Sequence, residues 1–325
     1  MVNRKFTITP LGSCRIASPS RAGVETHGIA VIRPRSYGFT HSSAEAVQQA
    51  RFMVEGNSIP PDLWPLIGRD NDYDKVHNTA FRPADIYLVE ISSAKMLTLD
   101  NHLIQLNYTQ HHFRHFFSDV GRRTRYWDLV AQGDPGELDK LLAAEWSGTA
   151  EQRQDTDLLR RIQMVLATEE TLRFDLAQLR DLLGDILIVT HVNARDEAGQ
   201  VLPARDKLIN QVRRIARDEG FDLSDPTEVV ARVGQEAAVD NESGSYAHYH
   251  PPFFSILFED WYQRFFQPRI DRNAVEKNAV HALVANLNAR LVQGARDEVA
   301  WRIAALPESL RNRPEIAALS SNAAA

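Results

Sequence analysis

Three short runs rich in apolar and β-branched residues constrain the fold of this chain more than any other feature. They span residues 5–11, 85–93 and 185–193, and each leads into small or polar side chains. A strand that is apolar on both faces must be covered on both faces, as in a parallel sheet flanked by helices. The sequence therefore predicts an α/β fold with a mostly parallel sheet. Residues 28–32 and 221–223 predict two further short strands.

Amphipathic helical patterns fill much of the remaining chain. Ser42 or Ser43 caps a helix with an apolar stripe that continues to Met53, and residues 204–219 predict another helix before a terminating glycine. Residues 19–23 contain proline, serine and glycine, so we expect a loop there and only a short or displaced helix after the first strand.

The spacing of the strong strands predicts the domain organisation. The segment between the second and third runs is too long for one crossover helix, so residues 96–183 are expected to form a large helical insertion. The α/β domain is expected over residues 1–270. A helical extension with a disordered Ala-rich tail is expected over residues 271–325.

Gly12-Ser13-Cys14 directly follows the first strand and holds two candidate nucleophiles. A glycine before a nucleophile permits a sharp strand-to-helix turn that exposes the side chain at the carboxyl edge of a sheet. Cys14 is the only cysteine of the chain, so it forms no internal disulfide and acts as a thiolate or as a packed apolar group. A buried structural cysteine is therefore the alternative to a nucleophile.

Polar residues end the second and third strong strands, where a parallel sheet places its ligand-binding loops. They are Ser92, Ser93, His191 and Asn193. His191 and Asn193 have side chains suited to orienting a substrate carbonyl. Asn193 also fits a turn in which its side chain bonds its own backbone.

A polar segment with two histidines and two acidic residues precedes an aromatic helix. His248 or His250 is a candidate general base, since a histidine on a loop before a C-terminal helix recurs in α/β hydrolytic folds. Asp240 and Glu242 are the neighbouring acids. The alternative is that both histidines cap the helix or pack on Tyr249.

Charge and hydropathy argue against several classes of partner. A net charge of −6 gives no electrostatic reason to expect nucleic acid or an anionic membrane surface. No run approaches the roughly 18 apolar residues that span a bilayer. Residues 1–9 lack the apolar core of a signal peptide, which predicts a cytoplasmic location. His111 and His115 lack the glutamate and third ligand of a zinc site, so no metal is expected.

Three short motifs carry a family resemblance: Gly12-Ser13-Cys14 after the first strand, the polar strand end near Asn193, and His248-Tyr249 before a core helix. In this order they resemble the SGNH/GDSL hydrolase superfamily. They are similar in particular to its GSCFA and capsule-biosynthesis acyltransferase-like branches, which begin with Gly-Ser-Cys or Gly-Asn-Cys in place of Gly-Asp-Ser. The resemblance covers the sheet-forming parts and implies a three-layer, flavodoxin-like sheet.

The resemblance also implies an activity, that of an O-acyltransferase or esterase acting on a glycan or small metabolite through a covalent acyl-enzyme. It puts Cys14 in the nucleophile position, with Ser13 beside it, and makes His248 the general base. It implies an oxyanion hole formed by the backbone amide of Cys14 or Arg15, an amide near Ser92 and the side chain of Asn193. Gly12, Ser93 and His191 are the further candidates for the oxyanion hole or for substrate binding.

The chain departs from the family pattern three residues before His248, where Ser245 stands in place of aspartate. Asp240 or Glu242 then supplies the carboxylate, or the site is a dyad, or His250 is the true base.

Two other hypotheses remain open. One is a cysteine hydrolase of another α/β type that pairs Cys14 with His191, and the other is a non-catalytic binding or assembly protein. No bound cofactor is expected. A thiol nucleophile fits an acyl-CoA donor, because thioester exchange with a thiolate is nearly balanced, and Arg15, Arg33 or Arg35 are candidates to hold its phosphates.

Overall fold

The computed structural model describes residues 5–69, 72–145, 150–240, 246 and 248–324. The strands in this part of the chain are β1 (Thr7–Leu11), β2 (Ala30–Val31), β3 (Ile86–Ile91), β4 (Lys95–Leu99), β5 (His102–Ile104), β6 (Gln163–Leu166), β7 (Ile186–Thr190), β8 (Asp222–Ser224), β9 (Val239–Asp240) and β10 (His248–Tyr249).

The helices of the same residues are α1 (Cys14–His27), α2 (Ser43–Val54), α3 (Trp64–Ile67), α4 (Tyr73–His77), α5 (Leu106–His112), α6 (Arg114–Phe117), α7 (Val120–Gln132), α8 (Pro135–Glu145), α9 (Ala150–Arg161), α10 (Glu169–Leu183), α11 (Pro203–Glu219), α12 (Pro226–Val233), α13 (Gln235–Ala238), α14 (Pro251–Trp261), α15 (Gln267–Val292), α16 (Arg296–Ala304), α17 (Glu308–Arg311) and α18 (Pro314–Ala324). A π-helical segment, Tyr262–Phe266, precedes α15. The chain forms two compact units, Met1–Trp261 and Tyr262–Ala325.

Parallel strands form the central sheet of the first unit, in the order β2-β1-β3-β7-β8. The register pairs Ile8 with Ile86 and Leu88 with Leu187. The predicted α/β fold with a mostly parallel sheet is confirmed. Because β2 and β3 lie on opposite sides of β1, the strand order reverses there, and such sheets bind ligands in the crevice outside the carboxyl ends at that point.

Helices cover the sheet, which explains the apolar character of its strands. On one face, Tyr87, Val89 and Ile91 pack with apolar residues of α2, α10 and α11. The alternate residues of β3 point to the opposite face and are equally buried. Helix α1 packs against α14. Burial on both faces is the reason why these strands carry almost no charged side chains.

Helix α1 runs through residues 19–23, where the sequence predicted a loop. Gly23 is there because α14 packs closely, since a Cβ at this position would lie 2.0 Å from Cδ1 of Phe258. The Ser20 hydroxyl donates to the carbonyl of Ile16 at 2.7 Å, so it too is satisfied inside the helix. The helix tolerates Pro19, and tertiary packing overrides the local loop signal.

The segment predicted as a helical insertion also contains an antiparallel sheet, in the order β5-β4-β6. Asp100 and Asn101 join β4 to β5 with φ values of 49° and 64°, the left-handed pair of a two-residue hairpin turn. Strand β6 pairs with β4 from far along the chain, as in the pair Met96–Val165. Short strands that pair over such a distance leave no periodicity long enough to be distinguished from helix.

The second unit, Tyr262–Ala325, is helical, and the predicted extension begins within its helix α15 at residue 271. The tail predicted to be disordered forms α18 over its described residues. Ile316, Leu319 and Ala323 lie on one face of α18 and are buried with Leu287 and Val299. That burial orders a helix whose alanine-rich sequence alone did not predict it.

Among the described helices, none has the combination of length and apolar residues required to cross a lipid bilayer. The cytoplasmic location stays a prediction.

The close approach of α1 and α14 is testable with Gly23→Ala. We expect the free energy of unfolding to fall by about 1–3 kcal/mol, as is usual for overpacking, because the new methyl group overlaps the Phe258 ring. Urea unfolding measures this change. The matched control is Gly136→Ala in α8, where the nearest atom to the added Cβ is 3.6 Å away. Equal stability of the two variants would contradict the packing described for α1.

Candidate active site

A buried carboxylate, that of Glu90 in β3, organises the turn between β1 and α1. Its Oε2 accepts the backbone N–H of Ser13 at 2.6 Å, and its Oε1 accepts Nε of Arg15 at 2.6 Å. Arg15 also donates through Nη2 to the hydroxyl of Ser92 at 2.9 Å. These bonds tie the start of α1 to the end of β3 and to the loop that follows it.

The same contacts determine the charge of Glu90. Burial by itself raises the pKa of this carboxyl. The charges of Arg15 and His41 and the hydrogen bonds from Ser13 outweigh the burial and lower the pKa to about 2. Glu90 is therefore ionised at neutral pH and forms a buried ion pair with Arg15.

Gly12 is required by the close approach of β1 to Glu90. A Cβ on Gly12 would lie 2.5 Å from Cβ of Glu90 and 2.7 Å from Cδ1 of Ile16. From the sequence, the expected role of Gly12 is to permit a sharp turn. The structure gives a different reason, which is the lack of space beside Glu90.

Ser13 and Cys14 have different roles in the turn. Ser13 is the N-cap of α1, with extended backbone, and its hydroxyl accepts the N–H of Arg15 at 3.3 Å. It is only 4% exposed. Cys14 is the first residue of the helix and is partly exposed. Cys14 is therefore the more accessible of the two candidate nucleophiles.

The structure brings His248 to Cys14 from the far end of the first unit. The Cys14 Sγ and His248 Nδ1 atoms are 3.7 Å apart. His248 lies on the β9–β10 ribbon directly opposite Asp240, and opposed residues of an antiparallel pair project from the same face. The next residue, Tyr249, is buried and packs on the ring of Phe253. The ribbon thus places a histidine beside the thiol and a carboxylate residue opposite that histidine.

The polar segment before α14 contains two further candidates, His250 and Glu242. The N–H of His250 donates to the carbonyl of Ala238 at 3.1 Å, and its carbonyl accepts the N–H of Phe253 at 2.9 Å, so His250 leads into α14. The alternative in which a histidine caps the helix therefore fits His250. Glu242 and Ser245 lie outside the described residues.

Several groups expected at the oxyanion hole are already bonded. The N–H groups of Ser92 and Ser93 both donate to the carbonyl of His41, at 2.8 and 2.9 Å. Nδ2 of Asn193 donates to Oδ1 of Asp206 at 2.7 Å, which ties the loop after β7 to α11. In this conformation, these hydrogen-bonded groups hold the loops after β3 and β7 in place. The N–H of Cys14 has no acceptor among the residues that the structure describes, and it is the candidate oxyanion donor.

His191 directly follows β7 and is buried, with Nδ1 donating to the carbonyl of Val192 at 2.8 Å. Burial, and then the charges of Arg15 and Arg205, lower its pKa well below the ordinary value. His191 is therefore neutral at pH 7 and presents Nε2 as a hydrogen-bond acceptor. The histidine within hydrogen-bonding range of Cys14 is His248.

Sequence reasoning missed the residues that hold this arrangement together. Glu90 binds the turn, His41 holds the loop after β3 through its carbonyl, and Arg205 donates to the carbonyls of Val192 and Tyr246 at 3.3 Å. The sequence contains one signal for the role of Glu90, because Glu90 is a lone carboxylate in an otherwise apolar strand. A buried charge of that kind requires a partner.

A cleft of about 470 Å³ adjoins the turn, since Gly12 forms part of its wall. Arg33 and Arg69 line the same cleft. Of the three arginines expected to hold phosphates, Arg15 forms an ion pair with Glu90. Arg35 lies over the ring of Phe52. Arg33 alone of the three lines the cleft.

His111 and His115 lie on separate short helices, α5 and α6. Over the described residues, no group of three or more His, Cys, Asp or Glu side chains is arranged to hold a metal ion.

The first unit of the chain matches a known protein family. Residues 6–264 match the family described as the TviD N-terminal domain, and the chain belongs to this family. It is 34% identical over 253 residues to the Vi polysaccharide biosynthesis protein TviD of Salmonella typhi. The match covers 76% of this chain but 30% of that protein, so the chain spans about 30% of the length of this curated relative. No solved structure matches.

The importance of the Glu90–Arg15 pair is testable with Glu90→Gln. At pH 7 we expect a loss of about 3 kcal/mol in the free energy of unfolding, because Arg15 remains buried without a countercharge. The folded pKa of about 2 lies below the ordinary 4.5, so the stabilisation is complete above about pH 4.5 and is lost as the pH falls toward 2. The difference in the free energy of unfolding between the wild type and Glu90→Gln should therefore decrease as the pH falls from about 4.5 toward 2.

Urea unfolding at pH 7, 5, 4 and 3 provides the measurement. Exposed Glu236 supplies the control, since Glu236→Gln should leave stability nearly unchanged at each pH. Wild-type stability of Glu90→Gln at pH 7 would show that the ion pair does not stabilise the fold.

Proposed function

We propose that this protein is an acyl-transfer enzyme of polysaccharide biosynthesis, in which Cys14 carries the acyl group and a glycan hydroxyl or water receives it. The observation that carries the proposal is the 3.7 Å approach of His248 Nδ1 to Cys14 Sγ at the first residue of α1. The name of the relative, a Vi polysaccharide biosynthesis protein, supports a glycan as the acceptor.

The sheet order supports an SGNH-type frame for this chemistry. Numbered within the central sheet alone, the order β2-β1-β3-β7-β8 becomes 2-1-3-4-5, the flavodoxin-like order of doubly wound folds. The Gly-Ser-Cys turn follows its first strand, and His248 precedes the last helix of the first unit. Both features agree with the placement of nucleophile and base in that superfamily.

In the first half-reaction, His248 accepts the Sγ proton of Cys14, and the thiolate attacks the carbonyl carbon of an ester or thioester donor. The N–H of Cys14 donates to the tetrahedral oxyanion, together with the positive end of α1. The carbon–leaving-group bond then breaks, and His248 returns the proton to the departing alcohol or thiol. The acyl group remains on Cys14 as a thioester.

In the second half-reaction, His248 removes the proton of an acceptor hydroxyl, whose oxygen attacks the thioester carbonyl. Collapse of the intermediate expels the Cys14 thiolate, which takes the proton back from His248. A glycan hydroxyl yields an O-acyl ester, and water yields hydrolysis. An acyl-CoA donor suits a thiol nucleophile, because one thioester is exchanged for another.

Asp240 is proposed as the residue that orients His248. It stands opposite His248 in the ribbon. We expect its carboxylate to accept a hydrogen bond from the ring nitrogen of His248 that does not face Cys14. This role replaces the aspartate that the family pattern expects at position 245.

The proposal predicts an acyl-enzyme on Cys14. Incubation with acetyl-CoA or an acetyl ester should add one acetyl group to the wild-type protein, detected by intact mass spectrometry. Cys14→Ser should abolish the adduct. His248→Ala should slow its formation by roughly a hundredfold or more, a typical cost of losing a general base. Because Cys14 is the sole cysteine, a thiol-specific adduct is assigned without ambiguity.

Two matched histidine variants separate the alternatives. His250→Ala should leave acylation nearly unchanged, whereas a loss with His191→Ala and none with His248→Ala would favour a cysteine hydrolase of another type. A thiol that neither acylates nor reacts with iodoacetamide in folded protein would contradict the mechanism. That result would favour a binding or assembly role.

A further inference from the structure

The cleft beside Gly12 contains positive charge that no described carboxylate neutralises. Arg33 and Arg69 line it, and Arg21 lies near enough for its charge to act on Arg33. Elsewhere in the first unit, arginines pair with acids, as Arg173 does with Asp218. Within the described residues, no ion pair involves Arg21, Arg33 or Arg69.

The backbone holds the two lining arginines at the edge of the sheet. Arg33 lies two residues after the end of β2, and the N–H of the preceding residue, Ile32, donates to the carbonyl of Ile8 in β1 at 3.0 Å. The N–H of Arg69 donates to the carbonyl of Tyr37, another residue of the cleft wall, at 2.7 Å. The Arg69 guanidinium lies over the Phe39 ring, 5.3 Å from its centre. Hydrogen bonds therefore hold the backbone next to Arg33 and at Arg69, and the Phe39 ring also positions the Arg69 side chain.

Like charges held together around a concavity are unfavourable unless an anion joins them. Partial burial, followed by the charges of Arg21 and Arg69, lowers the pKa of Arg33. Guanidinium groups bind carboxylate and phosphate oxygens through charge-assisted, often bidentate, hydrogen bonds. A volume of about 470 Å³ accommodates a sugar residue or part of a nucleotide-containing donor.

We propose that Arg33 and Arg69 form an anion-binding subsite that holds a carboxylate or phosphate group of the substrate next to the turn that carries Cys14. The inference rests on the proposed function, because it assigns the cleft to the substrate of the Cys14 reaction. The anionic group comes either from the phosphates of an acyl-CoA donor or from the carboxylate of an acidic sugar acceptor. Both sources present the same oxygen chemistry to the two guanidinium groups.

Equilibrium binding to the full chain, measured by isothermal titration calorimetry, distinguishes these sources. Coenzyme A is compared with pantetheine, which lacks its phosphates. A hyaluronan tetrasaccharide, which carries carboxylates, is compared with neutral chitotetraose. We expect the anionic member of one pair to bind at least about tenfold more tightly than its neutral counterpart. The pair that shows this preference identifies the donor or the acceptor as the source.

Arginine variants test the assignment of the subsite. Arg33→Gln and Arg69→Gln should each raise the Kd for the preferred anion about tenfold, and Arg33→Lys should raise it less because the charge remains. Exposed Arg82, which lies outside the cleft wall, provides the control, and Arg82→Gln should leave the Kd unchanged. The absence of charge preference in both pairs, or wild-type affinity in Arg33→Gln, would overturn the proposal.

Cys14→Ser separates the subsite from the chemistry. If this variant binds the anion like the wild type but no acyl-enzyme ever forms on wild-type Cys14, the subsite stands and the acyl-transfer mechanism fails. If acylation occurs but Arg33→Gln binds every tested anion with the wild-type Kd, the mechanism stands and the subsite fails.

Discussion

The buried carboxylate of Glu90 is the interaction on which the candidate site depends. A charge at the centre of a parallel sheet is unfavourable by itself, and here it is compensated by Arg15 and by the N–H of Ser13. Both partners belong to the turn that starts α1, so neutralising the charge also fixes the direction of the helix and the position of Cys14. The same carboxylate occupies the space that makes glycine necessary at position 12.

The groups of the candidate site come from distant parts of the chain and meet at one edge of the sheet. The thiol lies at the start of α1, after the turn that follows β1, and the histidine near it comes from a two-stranded ribbon that begins more than two hundred residues later. The cleft with Arg33 and Arg69 lies on the β2 side of the same edge. A parallel sheet creates this convergence, because its strands all deliver their following loops to one edge.

Local sequence patterns predicted the strands and the main capped helices because each of these features is a short-range property. The apolar runs became β1, β3 and β7, and Ser42 caps α2 through a reciprocal hydrogen-bonded pair with Glu45. The errors have a common cause. Gly23 and the tail beyond Pro314 carried loop or disorder signals, and packing against distant residues overrode them. The β4–β6 pairing likewise joins segments far apart in the chain.

The sequence by itself determined the α/β fold with a parallel sheet and the unique thiol after its first strand. These follow from the alternation of apolar runs with helical periods and from a count of cysteines. Tertiary structure alone decided that Ser13 caps a helix, that Ser92, Ser93 and Asn193 secure loops, and that His248 faces Cys14. The physical reason is that a hydrogen bond depends on distance and direction in space, which residue order along a chain does not specify.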